Sequence, residues 1–422
     1  MNPMTFQIAL RNVFRHRTRT LITLTAIAFG CVSLIFTGGF FEDIFYKMQE
    51  SYIRAHTGHL QVNRKGFSEH GNARPFDYLI DKPEALIPLI ESAGGVTYVT
   101  RRLQFSGLLS TGETTIACIG QGIEPEHEPT VRLNAEVSRG GNPTIRGSVI
   151  EHGDPLIPSD TFSIIMGRGL AAGIGAKPGD GLILVSNTVG GSINALDVTV
   201  KGTFFTSAKE FDDRVLRLPL PTAQRLLQTD GVQTLVVLLD RTEDTPRVKA
   251  ELTRLFEARG LDLELKTWDE LSDFYLKSRD FLGRLFLILK FIIAIIVILS
   301  IYNTMNMAVL ERTSEIGTLM ALGTKRRGIL RLFLAEGLLL GTIGGALGVL
   351  AGMLITTIAR HIGIPMPPPP GATIQWLSEP MIVPGILLFA FGLSIATALI
   401  SAFFPAHKAS RLEIAEALRS RG

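Results

Sequence analysis

From Phe291 to Leu310 the chain runs for 20 residues without a charge, and at 1.5 Å per residue about 20 apolar residues suffice to carry a helix across a ~30 Å hydrocarbon core. Residues 20–41 give a second charge-free run, of 22 residues, and apolar stretches at about 330–359 and 381–404 complete the set. Hydrocarbon tolerates only backbone whose polar groups are satisfied internally, so the fold class follows: an α-helical membrane protein with four transmembrane helices, at about 20–42, 287–310, 330–359 and 381–404. The composition agrees, with mean hydropathy +0.28 and 19% charged residues in 422. A cleaved signal peptide is not expected. Its apolar region would be about 7–15 residues ending in small residues, whereas this run is longer and meets Glu42-Asp43, and Phe29 stands where a lipoprotein site before Cys31 needs a small residue.

Residues from about 43 to 280 form a large insert between the first and second spans. Strand-like alternation (GHLQVNR, TTIACIGQGI, GLILVSNT, LDVTVKGTFF, QTLVVLLD) and helix-like stretches near 82–93, 221–228 and 245–259 predict an α+β domain. Gly, Pro and Asn punctuate 139–160, which reads as a loop or subdomain junction. From Thr267 the chain mixes Leu271, Phe274, Leu282, Leu285 and Leu289 among charges, as a stalk helix entering the second span, with Lys290 placed to snorkel to the interface. The 360–380 loop holds four consecutive prolines from Pro367, which favour a stiff extended segment.

Two features of the third span point to packing and polarity. Gly337, Gly341 and Gly345, and again Gly344, Gly348 and Gly352, recur every four residues, the spacing that lets helix backbones approach closely. Glu336, about one turn past Arg331, is the only acid within a span; it lies near the cytoplasmic interface, and Arg326, Arg327 or Arg331 is expected to hold it.

The net charge of +3 gives no case for nucleic acid, so the cations matter by position. Segments 1–19, 304–331 and 405–422 hold 4, 5 and 4 Lys or Arg and the 361–381 loop none, which places both termini and the 304–331 segment in the cytoplasm and the insert outside. The segment 1–19, with Arg11, Arg15, Arg17 and Arg19 beside Phe6, Leu10, Val13 and Phe14, reads as an amphipathic helix on anionic membrane lipids. Cys31 and Cys118 both sit in apolar surroundings and read as packing residues.

Catalytic chemistry is missing. No Gly-Lys dipeptide occurs, so the chain has no G-x-x-x-x-G-K-[ST] phosphate loop; H-E-x-x-H and G-x-S-x-G are absent too. His56, His59 and His70 lack the further ligands of a zinc site, and Glu124, Glu126 and Glu128 read as a solvated loop around Pro125 and Pro129. No catalytic residue, metal or cofactor is expected.

Between the second and third spans, Glu311 to Arg327 forms a short helix-like segment. Ile316, Leu319 and Met320 recur at helical spacing, Gly323 is placed as a left-handed C-terminal cap, and Thr324 as the next N-cap. Glu311-Arg312-Thr313, Glu315-Ile316-Gly317, Ala321-Leu322-Gly323 and Arg326-Arg327 resemble the E-R-T-x-E-I-G-x-x-x-A-L-G-x-x-R-R signature of FtsX-like (type VII) ABC permeases, the family of MacB, LolC/LolE and FtsX. Ala9-Leu10-Arg11-Asn12, the stretches at 119–126 and 165–186, and the tail Pro405-Ala406, Lys408-Ala409-Ser410-Arg411, Glu416-Ala417-Leu418-Arg419 are similar to other parts of that family. The resemblance implies that 311–328 is a cytoplasmic coupling helix docking on a separate P-loop ABC ATPase dimer, through Glu311, Arg312, Glu315, Ile316, Gly317, Leu319, Met320, Gly323, Arg326 and Arg327. It also implies a MacB-like extracytoplasmic domain, a second permease copy or a paralogue, and a bacterial inner-membrane location. A periplasmic carrier or adaptor is a further implied partner, although Val185–Ala195, where LolC carries its carrier hook, is short, Gly-rich and without prolines or basic residues.

The expected function is thus the non-catalytic permease subunit of an ABC transporter releasing or exporting a lipoprotein, lipid or other hydrophobic substrate. The alternatives are an FtsX-like regulator of a cell-wall hydrolase, MacB-like efflux of small molecules or peptides, and a membrane-anchored sensor without an ATPase.

Overall fold

The computed structural model describes residues 9–12, 15, 17–71, 73–127, 136–137, 143–144, 148–206, 208–367 and 376–411. Phe6, Val13, Phe14, Glu128, Pro129, prolines 368–370 and the 416–419 tail motif lie outside these residues. Two compact units result: one holds the described residues of Met1–Phe45, Ser278–Ile364 and Ser378–Gly422, the other those of Tyr46–Lys277 and Pro365–Leu377. The chain order is α1 (Arg17–Tyr52), β1 (Leu60–Arg64), β2 (Val96–Ser110), β3 (Thr115–Ile123), β4 (Val149–Gly153), β5 (Ser163–Gly167), α2 (Arg168–Ile174), β6 (Gly181–Asn187), β7 (Ile193–Phe205), β8 (Val215–Pro219), α3 (Leu220–Leu227), β9 (Thr234–Leu239), α4 (Thr245–Ala258) and β10 (Leu263–Thr267), with shorter turns between. Then follow α5 (Asp273–Glu311), α6 (Thr313–Ala321), α7 (Arg326–Ile362), the short paired strands β11 (Ile364–Met366) and β12 (Trp376–Ser378), and α8 (Pro384–Ser410).

Among the described residues four helices, α1, α5, α7 and α8, are long and apolar enough to cross a membrane. With 36 and 39 residues, α1 and α5 are about 54 and 58 Å long at 1.5 Å per residue, well beyond a ~30 Å core. The two glycine ladders of α7 face different neighbours. A Cβ on Gly337, Gly341 or Gly345 would strike Ala402, Ala398 or Ser394 of α8, whereas one on Gly344, Gly348 or Gly352 would strike Ile27, Cys31 or Ile35 of α1. One helix therefore packs backbone-close against two others, where van der Waals contact replaces the hydrophobic effect that lipid cannot supply. Ser394 Oγ donates across the first seam to the Gly341 carbonyl at 3.2 Å. At one end of the bundle buried Asp43 accepts from Ser378 Oγ (3.0 Å) and Glu379 N (2.9 Å). Lys290 Nζ sits 4.3 Å from the Phe286 ring centroid and 4.8 Å from that of Phe389, so its charge rests on aromatic faces.

The inserted domain is a sheet in the order β10-β1-β9-β2-β3-β8-β5-β7-β4, with β6 pairing both β2 and β7. Those pairings close a six-stranded ring, β2-β3-β8-β5-β7-β6. The 15-residue β2 makes this possible by serving both parts: residues 96–102 pair with β9, and 103–110 with β3. Gly122 of β3 lets α3 close on the ring, since a Cβ there would lie 2.5 Å from Ala223 Cβ. Leu220, Ala223, Leu226 and Leu227 of α3 then complete a continuous core with Leu103, Phe105, Leu216 and Leu218.

Several expectations change here. Part of the 139–160 stretch is a strand, β4, pairing with β7. Its glycine punctuates by conformation, Gly153 taking φ +76° against the Lys201 carbonyl. Glu124 is not solvated: its carboxylate accepts from Arg101 N (2.8 Å), Nε (2.9 Å) and Nη2 (2.6 Å), tying the end of β3 to β2. Residues 188–192 join β6 to β7 as a tight turn, and Asn194 Nδ2 anchors the hairpin to the Leu226 carbonyl of α3 at 2.8 Å. His59 accepts the Leu239 N–H at Nδ1 and meets Thr242 Oγ1 at Nε2, both at 3.0 Å.

Candidate functional site

The segment joining α5 to α7 is a separate helix because two residues interrupt the backbone. Arg312, at φ −110° and ψ 16°, leaves the helical region and ends α5. At the other end Gly323 takes φ +95°, which favours glycine. Its N–H reaches the Met320 carbonyl and the Thr324 N–H the Leu319 carbonyl, both at 3.0 Å, the paired bonds of a Schellman cap. The expected N-cap Thr324 is displaced by one residue: Lys325, extended at ψ 150°, precedes α7 and makes no side-chain cap.

The apolar stripe of α6 faces inward. Ile316 and Met320 are 3% and 8% exposed, Gly317 is buried beside them, and Leu319 is half-buried against the same bundle core as Met305, Val309, Ile329 and Phe333. Ile316 and Met320, expected at the docking face, are covered by their own chain, which already satisfies those side chains. What α6 and its turn expose is Glu311, Thr318, Ala321, Leu322 (80%), Gly323, Lys325, Arg326 and Arg327.

Beneath the helix lies a polar network. Buried Glu336 accepts at one oxygen from Arg312 Nη1 (3.0 Å) and Asn12 Nδ2 (2.7 Å). Arg312 Nε donates to Glu315 at 3.1 Å, and Arg15 Nη1 pairs with the other oxygen of Glu315 at 2.8 Å. Arg19 pairs with Glu311 at 2.7 Å. The arginines expected on Glu336 do not hold it. Five and nine residues along a helix are about 140° and 180° around it, so Arg331 and Arg327 point away, while Arg326 lies about 15 Å along the axis; all three are exposed. Arg312 reaches Glu336 from the break before α6, and a helix carboxylate that would cost about 2.5–3.5 kcal/mol at mid-bilayer is thus hydrogen-bonded and paired. Partial burial works against the charge of Glu315, but the hydrogen bonds from Arg312 and Arg15 prevail and hold its carboxyl below the ordinary range.

Asn12, Arg15 and Arg19 join this site, whereas the expectation places the two arginines on lipid. The sequence carries a signal in its spacing: Arg15 and Arg19 are four apart, as are Glu311 and Glu315, and they pair in opposite order across the break at Arg312. Among the described residues no group of three His, Cys, Asp or Glu side chains could hold a metal ion.

The family described as MacB-like periplasmic core domain matches residues 20–255, and that described as FtsX-like permease C-terminal matches residues 287–414. The lipoprotein-releasing system transmembrane protein LolC of Xylella fastidiosa is 24% identical over an alignment covering 99% of each chain. The macrolide export ATP-binding/permease protein MacB of Shigella boydii is 32% identical over 226 residues, 52% of this chain and 32% of that one. Among solved structures, the periplasmic region of MacB from Actinobacillus actinomycetemcomitans is similar at 13% identity and TM-score 0.36, over 52% of this chain and 94% of that one. With four candidate spans and a MacB-like domain between the first two, the chain belongs to the FtsX-like permeases and is an ABC transporter permease of the LolC and MacB type.

Proposed function

We propose that this permease works with a separate P-loop ATPase that docks on the turn after α6, and that ATP-driven motion there is passed to the inserted domain to release a lipidated or otherwise hydrophobic substrate from the membrane. The observation carrying the reading is the interrupted helix itself: a capped nine-residue helix between two spans, ending in an exposed apolar and cationic tip of Leu322, Lys325, Arg326 and Arg327. Leu322 is a large apolar side chain at 80% exposure beside three cations, the composition of a docking hot spot ringed by charge. The substrate class is taken from LolC, which matches end to end and is named for lipoprotein release. Both termini and α6 are cytoplasmic in this reading.

The test is co-purification with the ATPase encoded nearest the gene. The permease alone should hydrolyse no ATP, and the pair should. Leu322→Glu should abolish co-purification while leaving membrane insertion intact. Robust hydrolysis by the isolated chain, or full ATPase retention by Leu322→Glu, would contradict the proposal.

A further inference from the structure

The residues of the E-R-T-x-E signature divide into two sets, and only one is exposed. Arg312 is buried, with its guanidinium shared between Glu315 of α6 and Glu336 of α7, and Asn12 of the N-terminal segment completes the site on Glu336. These groups cannot meet a partner chain without first abandoning one another. Each also has a reason not to leave: Glu336 stripped of Arg312 would be an uncompensated carboxylate in a span, and Arg312 stripped of Glu336 would keep only Glu315 against its burial. α7 is in turn the helix whose glycine ladders touch α8 through Gly337, Gly341 and Gly345 and α1 through Gly344, Gly348 and Gly352.

We propose that Arg312 and Glu336, with Asn12, are positioning residues forming a clamp that makes α6 and α7 move as one body, so that displacement of the docking tip enters the bundle through α7 and its two seams. This rests on the ATPase-coupled reading above. The clamp transmits and does not dock, so its loss should uncouple the complex without releasing the ATPase.

The experiment uses the full-length chain in nanodiscs with its ATPase, spin-labelled at Ala321→Cys on α6 and Leu350→Cys on α7, both exposed positions, the two native cysteines being buried. In the wild type the inter-label distance should be single and the same without nucleotide and with ATP and vanadate. Glu336→Gln keeps the shape and removes the charge; it should retain the ATPase, broaden the distance distribution, and lower permease-stimulated hydrolysis by about fivefold or more. Arg312→Lys, which keeps a cation between Glu315 and Glu336, should leave both near wild type. Should Glu336→Gln fail to insert, Arg312→Gln decides: a broadened distance with the ATPase retained supports the clamp, and a wild-type distance overturns it. A Glu336→Gln complex matching wild type in distance and hydrolysis overturns it, as does a wild-type distance that changes with ATP and vanadate while the ATPase stays bound. A purely structural role also overturns it, and would show as lower yield with an unbroadened distance. If no ATPase co-purifies with the wild type, the coupled reading itself falls, and the clamp with it.

Discussion

His56 and His59 stand where the first helix enters the inserted domain, and both are held neutral. Burial, reinforced by the positive charges of Arg217 and Arg102, pushes His56 down to about 3. Its ring meets Phe211 edge-on at 4.4 Å. Burial also pushes His59 down to about 4, Glu50 opposing it only in part. In the unfolded chain both would titrate near 6.5, so below that pH the unfolded state binds protons that the folded state refuses. Their stability contribution is complete above pH 6.5 and is lost as pH falls toward 4 and 3. The loss is about 1.4 kcal/mol per histidine per pH unit, or about 2 kcal/mol each at pH 5. Thermal unfolding of the domain, followed by Trp268 fluorescence, should therefore weaken from pH 7 to pH 5, and His56→Asn should flatten that slope by one histidine's share; an unchanged slope would contradict the assignment. Glycines give a second contrast. A Cβ on Gly348 would lie 2.6 Å from Cys31 Cβ and 2.9 Å from the Ala28 backbone, whereas Gly392 of α8 has nothing within 4 Å. Gly348→Val should destabilise the bundle by about 1–3 kcal/mol, measured by thermal inactivation in detergent. Gly392→Ala should be tolerated.

The short helix α6 shows what periodicity conveys and what it leaves open. The stripe Ile316, Leu319 and Met320 announces a helix with one apolar face, and the α6 bounds and the Gly323 cap follow from the same letters. Which neighbour covers the stripe is a tertiary fact, and here it is the chain's own bundle. Similarly, five of the strands are legible in the letters, β1, β3, β6, β7 and β9, the last as a continuous apolar run buried on both faces, while Arg217 and Pro219 hide β8 although all five of its residues are buried, and the charges and glycine of β2 blur its period. Neither partner of Glu336 is legible from periodicity, since Arg312 lies in another element 24 residues away and Asn12 is 324 residues away. The substitutions separate accordingly. Ile316→Glu would bury an unpaired charge and should lower the yield of folded protein, whereas Leu319→Pro removes a backbone donor and should cost about 3 kcal/mol of helix stability. Size-exclusion profiles and ATPase pull-down of the two beside Leu322→Glu distinguish folding from docking. Normal folding of Ile316→Glu would mean that the stripe is not covered as described.

The topology of the whole chain is constrained by two independent observations that agree. Four spans return the chain to its starting side, and the cations sit in three segments, 1–19, 304–331 and 405–422, with none of the Lys or Arg in 361–381. Separately, the described residues of 365–377 cluster with the inserted domain rather than with the helical bundle, Lys47 Nζ donating to the Leu377 carbonyl at 2.6 Å, so the two loops belong on one side whatever the charges say. Arg15 and Arg19 meet Glu315 and Glu311, which likewise puts the N-terminal segment and α6 on one side. On the proposed reading charge sets which side is which: cations resist translocation, so the N-terminal segment, α6 and the tail are expected in the cytoplasm and the domain and residues 365–377 outside. Alkaline phosphatase fused at about residue 150 and residue 370 should be active, and green fluorescent protein fused at about residue 318 and at the C-terminus should fluoresce. Cytoplasmic signal from both 150 and 370 would invert the orientation but keep the pairing of loops, whereas opposite signals from those two positions would break the four-span arrangement itself.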